Sequence, residues 1–118
     1  MSDADSREGG QWIVSRGIDV PGWELVAPSA TFADARVAGF TGCNRFTAEY
    51  AIDGETLRIG PIASTRMACM PPADEVERVY LDALNRVKGC RVDNSELVLV
   101  DGDGAELLRY RVEAPGPG

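Results

Sequence analysis

The chain contains no histidine at all. That removes the commonest general base, the commonest neutral metal ligand, and the imidazole on which Ser-His and Cys-His nucleophiles depend. Positive charge is also scarce, with 12 basic residues against 19 acidic ones and a formal net charge of −7. The arginines stand singly, so nothing attracts a phosphate backbone and nucleic acid is not an expected partner. No apolar run approaches the roughly 20 residues that cross a bilayer as a helix, so no integral membrane segment is expected. The start, MSDADSREGG, lacks a basic segment leading into an apolar one. As written it reads as a soluble cytoplasmic product; the same start would suit the mature part of an exported or envelope protein after removal of a signal. Cysteine is limited to Cys43, Cys69 and Cys90. They form no metal-type CxxC pair, an odd number fits a reducing compartment better than an oxidising one, and at most one intramolecular disulfide can form.

What is present describes one ordinary globular domain: 118 residues, 44% hydrophobic and 26% charged. Residues 1–9 are small, polar and acidic and read as a disordered tail, and 114–118 (APGPG) as a flexible one. The domain is 10–113. Inside it, QWIVS (11–15) and WELVA (23–27) read as short strands divided by the breakers Gly17, Pro21 and Gly22. ATF and RVAGF follow as the arms of a hairpin. FTAEYAI (46–52) puts Phe46, Ala48, Tyr50 and Ile52 on one face, and Asp53-Gly54 is a strong turn signal before TLRIG returns. ELVLV (96–100), the turn DGDG (101–104) and ELLRYRV (106–112) repeat that pattern.

Between these halves Val76, Val79, Tyr80, Ala83, Leu84 and Val87 recur at three- and four-residue steps and make one apolar stripe. Pro71 and Pro72 suit a helix entry, the acids Asp74, Glu75 and Glu77 its start, Arg86 and Lys88 its end, and Gly89 a C′ position. Hairpins on both sides of a single helix imply an α+β fold, an antiparallel sheet that curls around or under that helix.

Two stretches are candidates for function. GFTGCNRFTAEY (39–50) sets Cys43, Asn44 and Arg45 in a bend, where Gly42 and Asn44 suit a structural corner. For catalysis Cys43 would need a base, and only Arg45 is near in sequence. GPIASTRMACMPP (60–72) is a long aperiodic loop carrying the hydroxyls of Ser64 and Thr65, the cation of Arg66, and the soft apolar Met67 and Met70. A loop of that length leaves many backbone groups to satisfy, and the Asn44 amide, donor and acceptor at once, is suited to bonding them. DGDGAE is not a calcium loop, because its glycine and glutamate fall at the wrong offsets. No metal or other cofactor is implied, and no paired carboxylates emerge for acid and base work.

The order of GCNRF, a strand containing Tyr50, L-x-I-G-x-I-x-S-T-R-M-A-C, an acid-started helix ending LDAL, and ELVLVDGDGAELLRY resembles the META domain, the HslJ-like family. The resemblance spans about residues 10 to 112. Two departures stand out: Ala48 occupies a place where relatives commonly have glycine, and Cys90 lies outside both motifs. The resemblance implies a strongly curved antiparallel sheet, close to an incomplete barrel, packed on one main helix. It implies a small bacterial or protozoan protein associated with heat shock, stress or the envelope, from a family without an established enzymatic activity. The expected function is therefore a monomeric, non-catalytic module binding an apolar ligand or a protein partner. Its motif residues, and so its candidate binding site, are Asn44, Arg45, Tyr50, Thr65, Arg66 and Met67. Both motifs contain a cysteine, which gives the alternative: Cys43 and Cys69 meeting across the sheet in a thiol/disulfide-dependent, redox-responsive protein.

Overall fold

The computed structural model of the chain describes residues 10–113, and both expected tails lie outside the described residues. Within them run β1 (Gln11–Arg16), a 3-10 turn (Trp23–Val26), β2 (Ser29–Ala33), β3 (Arg36–Phe40), β4 (Arg45–Asp53), β5 (Thr56–Ile59), β6 (Ala63–Ser64), α1 (Ala73–Arg86), β7 (Gly89–Asp93), β8 (Glu96–Val100) and β9 (Glu106–Val112). The strands lie in the order β3-β2-β1-β9-β8-β7-β5-β4, and β3 pairs with β4 again, so the sheet returns on itself. All neighbours are antiparallel. The ring is thinnest between β5 and β7, where Thr56 and Gly89 are the one pair in register. Flanking it, Leu57 N–H donates to the Lys88 carbonyl at 3.1 Å and Cys90 N–H to the Glu55 carbonyl at 2.8 Å. The expected α+β fold, a curved sheet that is almost a barrel with one helix, is the fold observed.

The alternation read in the sequence decides which faces turn inward. On β4, Phe46, Ala48 and Tyr50 are buried while Glu49 and Ala51 are exposed. The stripe on α1 does the same, with Val76, Tyr80, Ala83 and Leu84 in the core and Val79 packed against it. Tyr80 is fully buried. Its hydroxyl lies 3.3 Å from the Ser29 carbonyl, which accepts from it, and shares a hydrogen bond of 2.8 Å with the Tyr110 hydroxyl. Its ring also meets Phe46 edge-on. Burial holds both phenols protonated above the usual tyrosine range, because an ionised oxygen there would lose its water; for Tyr80 the neighbouring Tyr110 adds to the effect.

Four local expectations differ from the structure. WELVA is a 3-10 turn rather than a strand: Trp23 N–H bonds back to the Val20 carbonyl and Leu25 N–H to that of Gly22. Trp23 and Val26, three apart, face the core while Leu25 is exposed. The turn after β4 falls one residue later than expected, since Asp53 pairs with Thr56 and leaves Gly54 and Glu55 at the bend. Gly89 does not cap the helix; it opens β7, where a Cβ would come within 2.8 Å of the Glu55 carbonyl oxygen. Finally, β7 itself and the two-residue β6 are strands in stretches without a clear strand signal.

Candidate functional site

The bend between β3 and β4 is built first from Thr41, which is fully buried. Its Oγ1 accepts the N–H groups of Cys43 at 3.1 Å and Asn44 at 2.8 Å. Its own N–H donates to the Asn44 carbonyl at 2.8 Å. Gly42 between them has φ of 106°, and a Cβ there would sit 2.7 Å from Val76 Cγ1, so the helix is seated directly against the bend. This local turn aims one side chain at the long loop.

That side chain is Asn44, only 2% exposed. Its Oδ1 accepts the Met67 N–H at 2.7 Å and the Thr65 hydroxyl at 3.0 Å. Its Nδ2 donates to the Met67 carbonyl at 3.2 Å and to Glu77 Oε1 at 3.0 Å. Thr41 donates its hydroxyl to the same Glu77 oxygen at 2.6 Å. Bend, loop and helix are thus joined through a single buried amide. Thr65 extends the tie, its Oγ1 accepting the Arg45 N–H at 3.2 Å and its N–H donating to the Arg45 carbonyl at 3.0 Å. A covalent tie lies alongside: Cys43 and Cys69 form a disulfide, with Cα atoms 5.9 Å apart. Cys90 is buried in β7 and takes no part in it.

Of the residues singled out from the sequence, Asn44, Thr65 and Met67 are brought together, and Cys43 and Cys69 beside them. Arg45 and Arg66 are exposed at either side of the loop. Tyr50 is set apart from them, buried on the inner face of β4 with its ring 5.1 Å from Phe32. Two participants were not among the candidates. Thr41 had a local signal, a hydroxyl two and three residues before the amides it accepts, as in turns closed by serine or threonine. Glu77 reads in sequence as one of the acids suited to a helix start, and its link to the bend is long-range.

The loop stands between two open clefts. One, of about 480 Å³, separates it from α1 and is lined by Asn44, Ile62, Ser64, Arg66, Glu77 and Leu81 among others. The second, of about 710 Å³, lies on the other side against Ile13, Ala27, Phe40 and Arg45. Met67 lines both and is 64% exposed, and Met70 further along is 82% exposed. Two large apolar side chains are thereby held out to solvent on a fastened loop.

The profile of the META domain family matches residues 9–114. The chain belongs to the META domain family. Among solved structures, this META domain is similar to a protein from Burkholderia xenovorans determined by NMR, at 27% identity over 92% of this chain and 85% of that one, with a TM-score of 0.72. A second NMR structure is 20% identical over 95% of this chain and 96% of its own, with a TM-score of 0.69. A DUF4847 family protein from Bacteroides vulgatus ATCC 8482, a crystal structure, is 16% identical over 89% and 93%, with a TM-score of 0.67. The last two likenesses are of fold alone. No curated protein matches this META domain. No helix among its described residues is long and apolar enough to cross a membrane.

Proposed function

We propose that this META domain is a non-catalytic recognition module whose binding surface is the loop around Met67. The observation that carries the reading is the fastening of that loop: a segment pinned by Asn44 and by the Cys43–Cys69 bond presents Met67 largely exposed between two clefts. A loop ordered in advance loses less entropy when a partner binds, and methionine adapts to varied apolar partners. The polar groups that could have done chemistry are already engaged, since the Asn44 amide and the Thr41 and Thr65 hydroxyls are spent on bend, loop and helix. The inside of the ring is occupied by Tyr80, Tyr110, Leu57, Leu97, Leu99 and Leu108, a packing that supports a binding surface on the outside rather than an interior pocket.

The disulfide enters this reading as a staple rather than a switch, because Cys43 is buried beneath the loop it holds. Disulfides persist in oxidising compartments, so the bond favours an exported or envelope setting, in keeping with the envelope and stress association of the family. The test is a titration of ¹⁵N-labelled protein with short apolar peptides and lipids, followed by amide shifts. Shifts centred on residues 62–70, weakened by Met67→Ser at unchanged thermal stability, are the expected result. Shifts confined to β7 and β8, or none with any probe, would remove the basis of the proposal.

A further inference from the structure

We infer that the cleft between the loop and α1 is a slot for a basic side chain, a lysine or arginine of the partner segment, received by Glu77. The inference rests on the reading of the Met67 loop as the binding face and names the partner's chemistry there. Glu77 is half-buried, and its Oε1 is held from below by Thr41 Oγ1 and Asn44 Nδ2. Two donors on one oxygen fix the plane of the carboxylate and leave Oε2 for a ligand. Among the described residues Glu77 makes no ion pair. Ile62 and Leu81 give the slot apolar lining for a long aliphatic stem, and Ser64 and Asn85 line it with further polar groups. A lysine buries its methylenes along such a surface while its ammonium stays on a polar partner.

Arg66 lines the same cleft, and its charge has to be weighed against this assignment. It is exposed and makes no hydrogen bond or ion pair among the described residues, so it is free to swing away. The fixed charge in the slot is negative and the movable one positive. An acidic side chain entering would meet a carboxylate that cannot retreat. The chain's net charge of −7 acts in the same direction, steering a basic segment inward and an acidic one away.

The experiment compares two capped pentapeptides, Ala-Leu-Lys-Leu-Ala and the same peptide with norleucine in place of lysine, which keeps the stem and removes the ammonium. Each is titrated into the ¹⁵N-labelled wild type and into Glu77→Gln, which retains an acceptor for Thr41 and Asn44 but no charge. The lysine peptide should bind wild type about ten-fold tighter or more, the range of a charged hydrogen bond, with shifts at Ser64, Leu81 and Asn85. Glu77→Gln should bind both peptides alike. Should that variant fold poorly by its denaturant midpoint, the wild type alone decides, because the lysine preference must shrink as salt is raised. Equal binding of both peptides around Met67 would overturn the slot and leave the apolar recognition face standing. Binding of neither would overturn both. A glutamate-bearing peptide that binds better than the lysine one would overturn it too, and assign the cleft to Arg66.

Discussion

The 101–105 turn and the 65–70 loop both carry backbone groups without strand partners, and in each a side chain supplies what is missing. In the turn, Asp101 Oδ1 accepts the N–H groups of Asp103 at 2.9 Å and Ala105 at 3.0 Å, two and four residues along. In the loop, Asn44 reaches 21 residues to Thr65 and 23 to Met67, and the disulfide spans 26. The turn can close as soon as its hairpin forms. The loop is fixed only when β3, β4 and α1 are already in place, so its order depends on the tertiary fold. Loss of a long-range tie should therefore cost more than loss of the local one.

The largest effect should come from the covalent tie. Replacing Cys43 and Cys69 together by alanine is expected to lower stability by about 3.5 kcal/mol, the chain-entropy value for a closed loop of this size, read from denaturant unfolding. Asn44→Ala comes next, at about 1–3 kcal/mol, because the buried partners of its amide are left unsatisfied. Asp101→Ala should cost less, about 1 kcal/mol or below, since water can reach the exposed amides it releases. If Asp101→Ala proved as costly as Asn44→Ala, the distinction between local and long-range ties would fail.

The smallest effect concerns the convex surface, where Glu106 accepts from Arg109 at 2.9 and 3.1 Å. The hydrogen bonds from Arg109 lower the Glu106 carboxyl below its ordinary value. A lowered folded value means stability that is present above the unfolded value, near pH 4, and is lost as pH falls through the folded one. Glu106→Gln should flatten the acid limb of midpoint against pH slightly, as Glu106 lies at the surface, where solvent screens the pair. A limb of unchanged slope would mean that the pair contributes nothing.

Much of the fold is legible in the sequence because its signals are local. The helix is announced by the stripe from Val76 to Val87, and the β8–β9 hairpin by DGDG between alternating strands. The hairpin of β7 and β8 escapes because its turn residues, Asn94 and Ser95, both take positive φ without a glycine to mark them. The 3-10 turn escapes because four residues are too few to separate a period of three from one of two. Within the site, the bond from Asn44 to the STRMA segment follows from the surplus of loop backbone groups. Glu77 does not, since only the packing of α1 against the bend brings it to Asn44.

The central claim, that Asn44 holds the loop through the Met67 peptide, is tested most directly by amide hydrogen exchange across residues 65–68. Met67 N–H should exchange slowly, and so should Thr65 N–H, which is bonded to the Arg45 carbonyl, whereas Arg66 and Ala68 between and beyond them should exchange fast. In Asn44→Ala the Met67 amide should join the fast group. A Met67 amide that exchanges in the wild type as quickly as those of Arg66 and Ala68 would contradict the account.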